Sequence, residues 1–208
     1  MSFCLNRPFV TAMLFAVWCM ASGRALALES SDWSYRAWQT DEGLPDNSVT
    51  GVAQSADGYL WVATYGGLMR FNGVNFSAIP LPSLHKKSVR TMLLDRQNRL
   101  WLGMDSGSVI CLDSNAVHTF GPTEGMPAEL ISAMTEDGAG AVWVIYSSIH
   151  SSTLCEIKDG RVSRFTATEG LPDGINAWVT SDARGEVWFS KGGQVGRASC
   201  RERVLRLV

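Results

Sequence analysis

The chain has 208 residues, with 46% hydrophobic and 18% charged side chains, 20 Gly and 7 Pro, a composition that excludes a disordered or collagen-like polymer because there is ample apolar surface to offset chain entropy. The formal charge of −2 hides an asymmetry: residues 28–195 carry twelve Lys and Arg against nineteen Asp and Glu, a net of −7, whereas residues 196–208 carry four Arg and one acid. An acidic body lacks the basic footprint that a phosphate backbone requires, which argues against nucleic acid as a partner.

Residues 1–27 read as a secretory signal peptide. Arg7 supplies the positive charge, Phe9 to Ala21 is an uncharged apolar run, and Ala25-Leu26-Ala27 is a small-residue cleavage site. The run is shorter than the roughly 20 apolar residues needed to span a bilayer, so export to the periplasm or beyond is expected. Ala16-Val17-Trp18 before Cys19 does not make a lipid-attachment site. Cys4 and Cys19 leave with the signal, and Cys111 and Cys155 remain in a compartment that permits disulfides. Relative to the repeats below, those two sit one residue out of step and point to opposite strand faces, which predicts two buried free thiols rather than a bridge.

From residue 28 the sequence repeats. Asp57-Gly58-Tyr59-Leu60-Trp61-Val62-Ala63-Thr64 is followed by Asn98-Arg99-Leu100-Trp101-Leu102-Gly103, then by Asp137 to Val144 around Trp143, then by Asp182 to Ser190 around Trp188. The four Trp lie 40, 42 and 45 residues apart. A second marker keeps step: Glu42-Gly43-Leu44-Pro45, Glu124-Gly125-Met126-Pro127 and Glu169-Gly170-Leu171-Pro172 each place their Gly 18 residues before the Trp, with Ser83 standing in that place in the second repeat. Two markers locked at one offset establish the repeat.

Each period divides into four short strand-like runs. In the first they are Val49–Gln54, Leu60–Thr64, Leu68–Phe71 and Asn75–Ile79, separated by Ala56-Asp57-Gly58, Gly66-Gly67 and Asn72-Gly73, all hairpin signals. Helical periodicity is absent after the signal peptide. The Trp strands are apolar on both faces, as in Leu60 to Ala63 and Val142 to Ile145, whereas a half-exposed antiparallel strand alternates. Both faces must therefore be covered. Four-stranded sheets stacked face to face around an axis supply that cover, and a period of about 40–45 residues fits such blades. The predicted fold is all-β: an incomplete β-propeller of about four four-stranded antiparallel blades over residues 28–195, the last truncated, with the Trp set structural.

The stretch Glu42 to Val49, with Asp57 to Thr64 and Gly67-Leu68-Met69-Arg70-Phe71-Asn72-Gly73, closely resembles the two-component regulator propeller repeat: a GLP turn, an apolar strand, a DGxLW strand and a GL-x-R-F-x-G strand. The resemblance spans about residues 33 to 195 and implies a periplasmic sensor region. In such proteins paired propellers usually precede a β-sandwich, a membrane span and a kinase, cyclase or DNA-binding output, and several members respond to oligosaccharides. It implies here a ligand-sensing region of a two-component-type signal transduction protein, a fragment lacking span and output, joined to the membrane only through a missing downstream segment.

The fourth repeat runs through Ser190 to Val195, and the Arg-rich Gly196 to Val204 resembles read-through at the end of a gene model. Residues 196–208 are thus read as an anomalous tail, and the fourth blade is expected to lack its last strands. With unclosed terminal faces, the isolated chain is expected to be poorly soluble or to self-associate.

Chemistry is sparse. His85, His118 and His150 have no partner at ligand spacing, paired Cys and phosphate loops are missing, and no Gly-x-Ser-x-Gly elbow occurs. No catalytic residue, metal ligand or cofactor is expected, and the chain is not expected to be an enzyme. The pairs Asp41-Glu42 and Glu136-Asp137 are expected to be solvated loop carboxylates. Ligand contacts should come from loops at one end of the propeller, where Trp33, Tyr35, Trp38, Tyr65, Tyr146 and Trp178 are aromatics able to stack on an oligosaccharide or another small ligand. No binding residue is assigned among them. The rival readings are an exported lyase-like propeller enzyme and a secreted protein-binding propeller.

Overall fold

The computed structural model describes residues 35–79, 87–114, 116–148, 153–172, 174, 176–199 and 204–207. The signal peptide, Ser83 and Trp33 lie outside the described residues. The fold consists of four four-stranded antiparallel sheets, each with its strands in chain order. Blade 1 holds β1 (Val49–Gln54), β2 (Leu60–Thr64), β3 (Gly67–Phe71) and β4 (Phe76–Ala78). Blade 2 holds β5 (Val89–Leu94), β6 (Leu100–Met104), β7 (Val109–Asp113) and β8 (Ala116–Phe120). Blade 3 holds β9 (Leu130–Glu136), β10 (Val142–Ser147), β11 (Leu154–Lys158) and β12 (Arg161–Phe165). Blade 4 holds β13 (Trp178–Ser181), β14 (Val187–Lys191), β15 (Gln194–Ser199) and β16 (Val204–Leu207).

The fourth blade therefore has all four strands, and its expected truncation is corrected. The reason is visible in the pairing. Arg197 stands opposite Trp188 as Arg70 stands opposite Trp61, so the repeat pattern continues two residues beyond Val195. Gly196 is also required in that strand, because a Cβ there would fall 2.3 Å from the Phe189 ring.

The first strands of the sheets touch in series, β1 to β5, β5 to β9 and β9 to β13, which puts them on the inner side of the array. Hydrophobic side chains fill three layers between blades. Ala63 and Leu68 meet Leu100, Leu102 and Met104 in the first layer. Trp101, Val109 and Phe120 meet Val142, Val144 and Tyr146 in the second. Trp143, Ile145 and Phe165 meet Val179, Val187 and Phe189 in the third. Trp61, Trp101 and Trp143 each face the following blade. All of β6 is buried, as are Val142 to Tyr146 of β10, as two-sided cover requires.

In blades 2, 3 and 4 one carboxylate organises the hairpin between the first two strands and its Trp. Trp101 Nε1 donates to Asp95 Oδ2 at 2.8 Å, Trp143 Nε1 to Asp137 at 3.1 Å and Trp188 Nε1 to Asp182 at 3.2 Å. The other oxygen of each Asp accepts two turn N–H groups, from Gln97 and Arg99, Ala139 and Ala141, and Arg184 and Glu186. Asp95 and Asp137 are only 4% exposed, so Asp137 is a buried structural acid, not the solvated loop carboxylate expected. Burial alone would raise the Asp95 pKa. The Trp101 hydrogen bond and those from Arg99, together with the Arg99 charge, outweigh burial and hold it below the usual value. The anchor lies six residues before each Trp, where blade 1 has Ser55. There Trp61 Nε1 donates to Ser55 Oγ at 3.0 Å and Ser55 Oγ donates to Asp57 at 2.5 Å. Asp57 and Asp137 are thus not equivalent, although each precedes a Gly.

The Glu-Gly-Leu-Pro motif also has a defined job. Thr40–Glu42, Pro122–Glu124 and Ala167–Glu169 are single 3-10 turns, short helical elements that the sequence periodicity did not announce. Glu124 accepts the Gly121 N–H at 2.7 Å and Glu169 the Thr166 N–H at 2.6 Å. Gly125 and Gly170 end the turns with φ of 101° and 91°, a region that favours glycine. The next residues, Met126 and Leu171, are each 2% exposed and plug the layers.

Candidate ligand-recognition surface

In every blade the first strand starts, and the turn between second and third strands lies, at one end of the array. Tyr65 N–H donates to Ser48 O and Asp105 N–H to Ser88 O, tying these two features together in blades 1 and 2. The starts of β1, β5 and β9 carry register shifts around Thr50, Arg90 and Ser132, and such bulges re-aim a side chain at a sheet's rim. Thr50 Oγ1 donates to Val89 O at 2.7 Å and Ser132 Oγ to Ala177 O at 2.6 Å, each across to the next blade. Arg90 instead pairs with Asp105 at 3.1 Å and lies 5.9 Å from the Tyr65 ring centroid.

Of the aromatics the sequence offered, the structure separates the exposed from the packed. Tyr65 is 44% and Trp178 60% exposed, and both lie at the inner-strand end. Tyr146 is fully buried and donates its hydroxyl to Gly107 O at 2.9 Å. Burial pushes its pKa well above the ordinary tyrosine value, so it stays a neutral donor. Trp38 packs edge-on against Phe71 with centroids 5.2 Å apart. Tyr35 is 93% exposed but belongs to a separate N-terminal unit, residues 1–37. The sequence reading missed Arg90, Asp105 and Lys191. Lys191 is completely buried and donates to Tyr146 O at 3.2 Å. Its signal was legible in outline: a cation ending the apolar strand Val187-Trp188-Phe189-Ser190-Lys191.

Nucleophilic or metal chemistry finds little support among the described residues. His118 is exposed on β8, while His85 and His150 lie outside the described residues. No cluster of three potential metal ligands occurs among the described residues. Cys111 and Cys155 are both buried and free, as their phase implied. Burial pushes their thiols up to about 11 and about 12, so both stay protonated and unreactive. No described helix is long and apolar enough to cross a membrane.

Residues 43–66 match the family model described as "Two component regulator propeller". No curated protein matches the chain. Among solved structures, the extracellular domain of a hybrid two component system from B. thetaiotaomicron superposes with a TM-score of 0.64 at 20% identity, covering 76% of this chain and 22% of that one. Virginiamycin B lyase from Staphylococcus aureus, in a catalytically inactive form with quinupristin, gives 0.63 at 18% identity over 79% of this chain and 56% of that one. A gluconolactonase from Xanthomonas campestris gives 0.54 at 14% identity over 76% and 61%. The chain spans about a fifth of that extracellular domain and about half of the lyase. Likeness at such identities carries the all-β propeller architecture and no activity.

Proposed function

Proceeding from a chain that carries a two component regulator propeller repeat on a propeller-type array of blades, we propose that it is the ligand-sensing part of an exported, periplasmic signalling protein. The observation that carries this reading is the inner-strand end of the array. Exposed Tyr65 and Trp178 stand there with the Arg90–Asp105 pair, so aromatic faces are combined with charged groups able to hydrogen-bond. That combination suits an oligosaccharide or another small polar ligand, whose ring faces stack while its hydroxyls exchange hydrogen bonds. Strands committed to interlayer packing hold these groups in place, and the loops supply the variation. Ligand binding would bias the packing of neighbouring blades and pass that bias to segments outside this chain.

The test is calorimetric titration of the full chain with a panel of neutral tetrasaccharides, each repeated on Tyr65→Ala and Trp178→Ala. A saturable heat with one sugar, weakened about tenfold or more by either substitution, is expected. Saturable binding that both substitutions leave intact would move the ligand away from this end. A panel without binding, together with turnover of a lactone or cyclic peptide, would favour the enzyme reading instead.

A further inference from the structure

A cleft lies at the other end of the array, between blades 1 and 2. In blades 2 and 3 the Trp is roofed by a phenyl ring from the fourth strand. Trp101 stacks on Phe120 with centroids 5.9 Å apart and planes at 21°, and Trp143 stacks on Phe165 at 5.5 Å and 23°. The pairing shows why the geometry repeats. Phe120 stands opposite Val109, which stands opposite Gly103, two residues past Trp101. Phe165 stands opposite Leu154, opposite Ile145, two residues past Trp143.

Counting the same way in blade 1 leads from Ala63 to Leu68, and from there, one step past the Met69–Ala78 pair, to Ile79. The roofing phenyl is replaced by an aliphatic side chain. Trp61 is accordingly half-buried, where Trp101 and Trp143 are 4% and 1% exposed. A cleft of about 630 Å³ opens at this place, lined by Trp61 and Ile79, by Leu100 and Val117 of blade 2, and by Arg70 and Asp113.

The rim of the cleft is polar. Arg70 pairs with Asp57 and lies over Tyr59 at 3.6 Å from the ring centroid. Its Nε is buried, with no hydrogen-bond partner among the described residues. Asp57 and Asp113 outnumber Arg70 among the charged lining groups, which disfavours an anion.

We propose that this cleft binds a small neutral aromatic compound bearing a hydroxyl group, its ring packing against Trp61 beside Ile79 and its oxygen meeting the polar rim of Arg70, Asp57 and Asp113. The site does not depend on the oligosaccharide reading above, and its test does not use the inner-strand end.

The experiment follows the indole N–H resonances of the 15N-labelled full chain during titration with p-cresol, the Trp61 peak being assigned by its loss in Trp61→Phe. Saturable displacement of the Trp61 peak is expected, with the Trp101 and Trp143 peaks stationary. Ile79→Phe, which supplies the missing ring from the chain itself, should weaken binding by about tenfold or more and raise the thermal midpoint. Val117→Phe narrows the cleft from an exposed position on blade 2 and should also weaken binding, which keeps the test decisive if Ile79→Phe does not fold. A Trp61 peak that does not move, or moves equally in a folded blocking variant, overturns the proposal. So does methyl glucoside displacing that peak at least as tightly as p-cresol, since the occupant would then be a saccharide.

Discussion

Among the described residues, blades 2 and 3 have a neighbouring sheet on each face and blades 1 and 4 on a single face, and the same local design ends up with different burial in the two settings. The Trp hydrogen bond to the residue six positions earlier is present in all four blades, at 2.8 to 3.2 Å. Yet Trp143 is 1% exposed and Trp188 only partly buried, because the face of blade 4 that carries Trp188 has no following sheet among the described residues. The hairpin is therefore a local construction, set by the turn and its acid, while sealing the indole is a property of the stack. This is the division expected of a repeat array, in which intrinsic and interface contributions are separable.

The sharpest way to break the comparison is to remove the indole in each setting. Trp143→Ala should cost about 3–5 kcal/mol by opening a cavity inside a sealed layer, and Trp188→Ala about 1–2 kcal/mol, since less apolar surface is returned to water. Urea midpoints of the two variants, at unchanged slope, measure the gap. Equal losses would show that the layers between blades are not the source of the difference.

A smaller effect separates the anchors. Asp137→Ala strands Trp143 Nε1 and the Ala139 and Ala141 N–H groups, at a cost of about 1–3 kcal/mol. Ser55→Ala should cost about 1 kcal/mol, because Asp57 remains beside the turn and accepts from Tyr59 N–H. Thermal unfolding of both variants gives the ordering.

The smallest effect is a dependence on acid. The Asp95 carboxyl is held below its ordinary value when folded, so the stability it contributes is present above the unfolded value of about 3.9 and is lost as pH falls through the lower folded value. Asp95→Asn should be less stable than the parent at neutral pH, and its stability should fall less between about pH 4 and pH 2. An acid limb unchanged by the substitution would place the responsible carboxylates elsewhere.

Much of the fold was readable because its signals are local. In the first repeat, Val49–Gln54 and Leu60–Thr64 were found to the residue, and the third strand differs only by including Gly67. Hairpin glycines and two-sided apolar runs were enough to fix blade number and strand order. What escaped depends on register. Asp57-Gly58 and Asp137-Gly138 look alike in sequence, yet the residues adopting positive φ are Gly58, Asn98, Gly140 and Gly185, each three before its Trp. Counted from the Trp, the acid stands at minus six and Ser55 is the exception. Arg197 was likewise set aside with an unusual tail although it keeps the spacing of Arg70. The recognition surface was least legible: Tyr65 and Tyr146 are equally plausible by residue type, and only interlayer packing decides which one meets solvent.

The turn between β9 and β10 meets the turn between β13 and β14 backbone to backbone. Gly138 N–H donates to Gly185 O at 2.8 Å, and a Cβ on Gly185 would fall 2.3 Å from Gly138 Cα. No side chain stands between the two sheets there to be compressed or rearranged. The two blades thus meet through bare backbone at this end, and through side chains at the other, where Ser132 Oγ donates to Ala177 O and Lys191 Nζ to Tyr146 O.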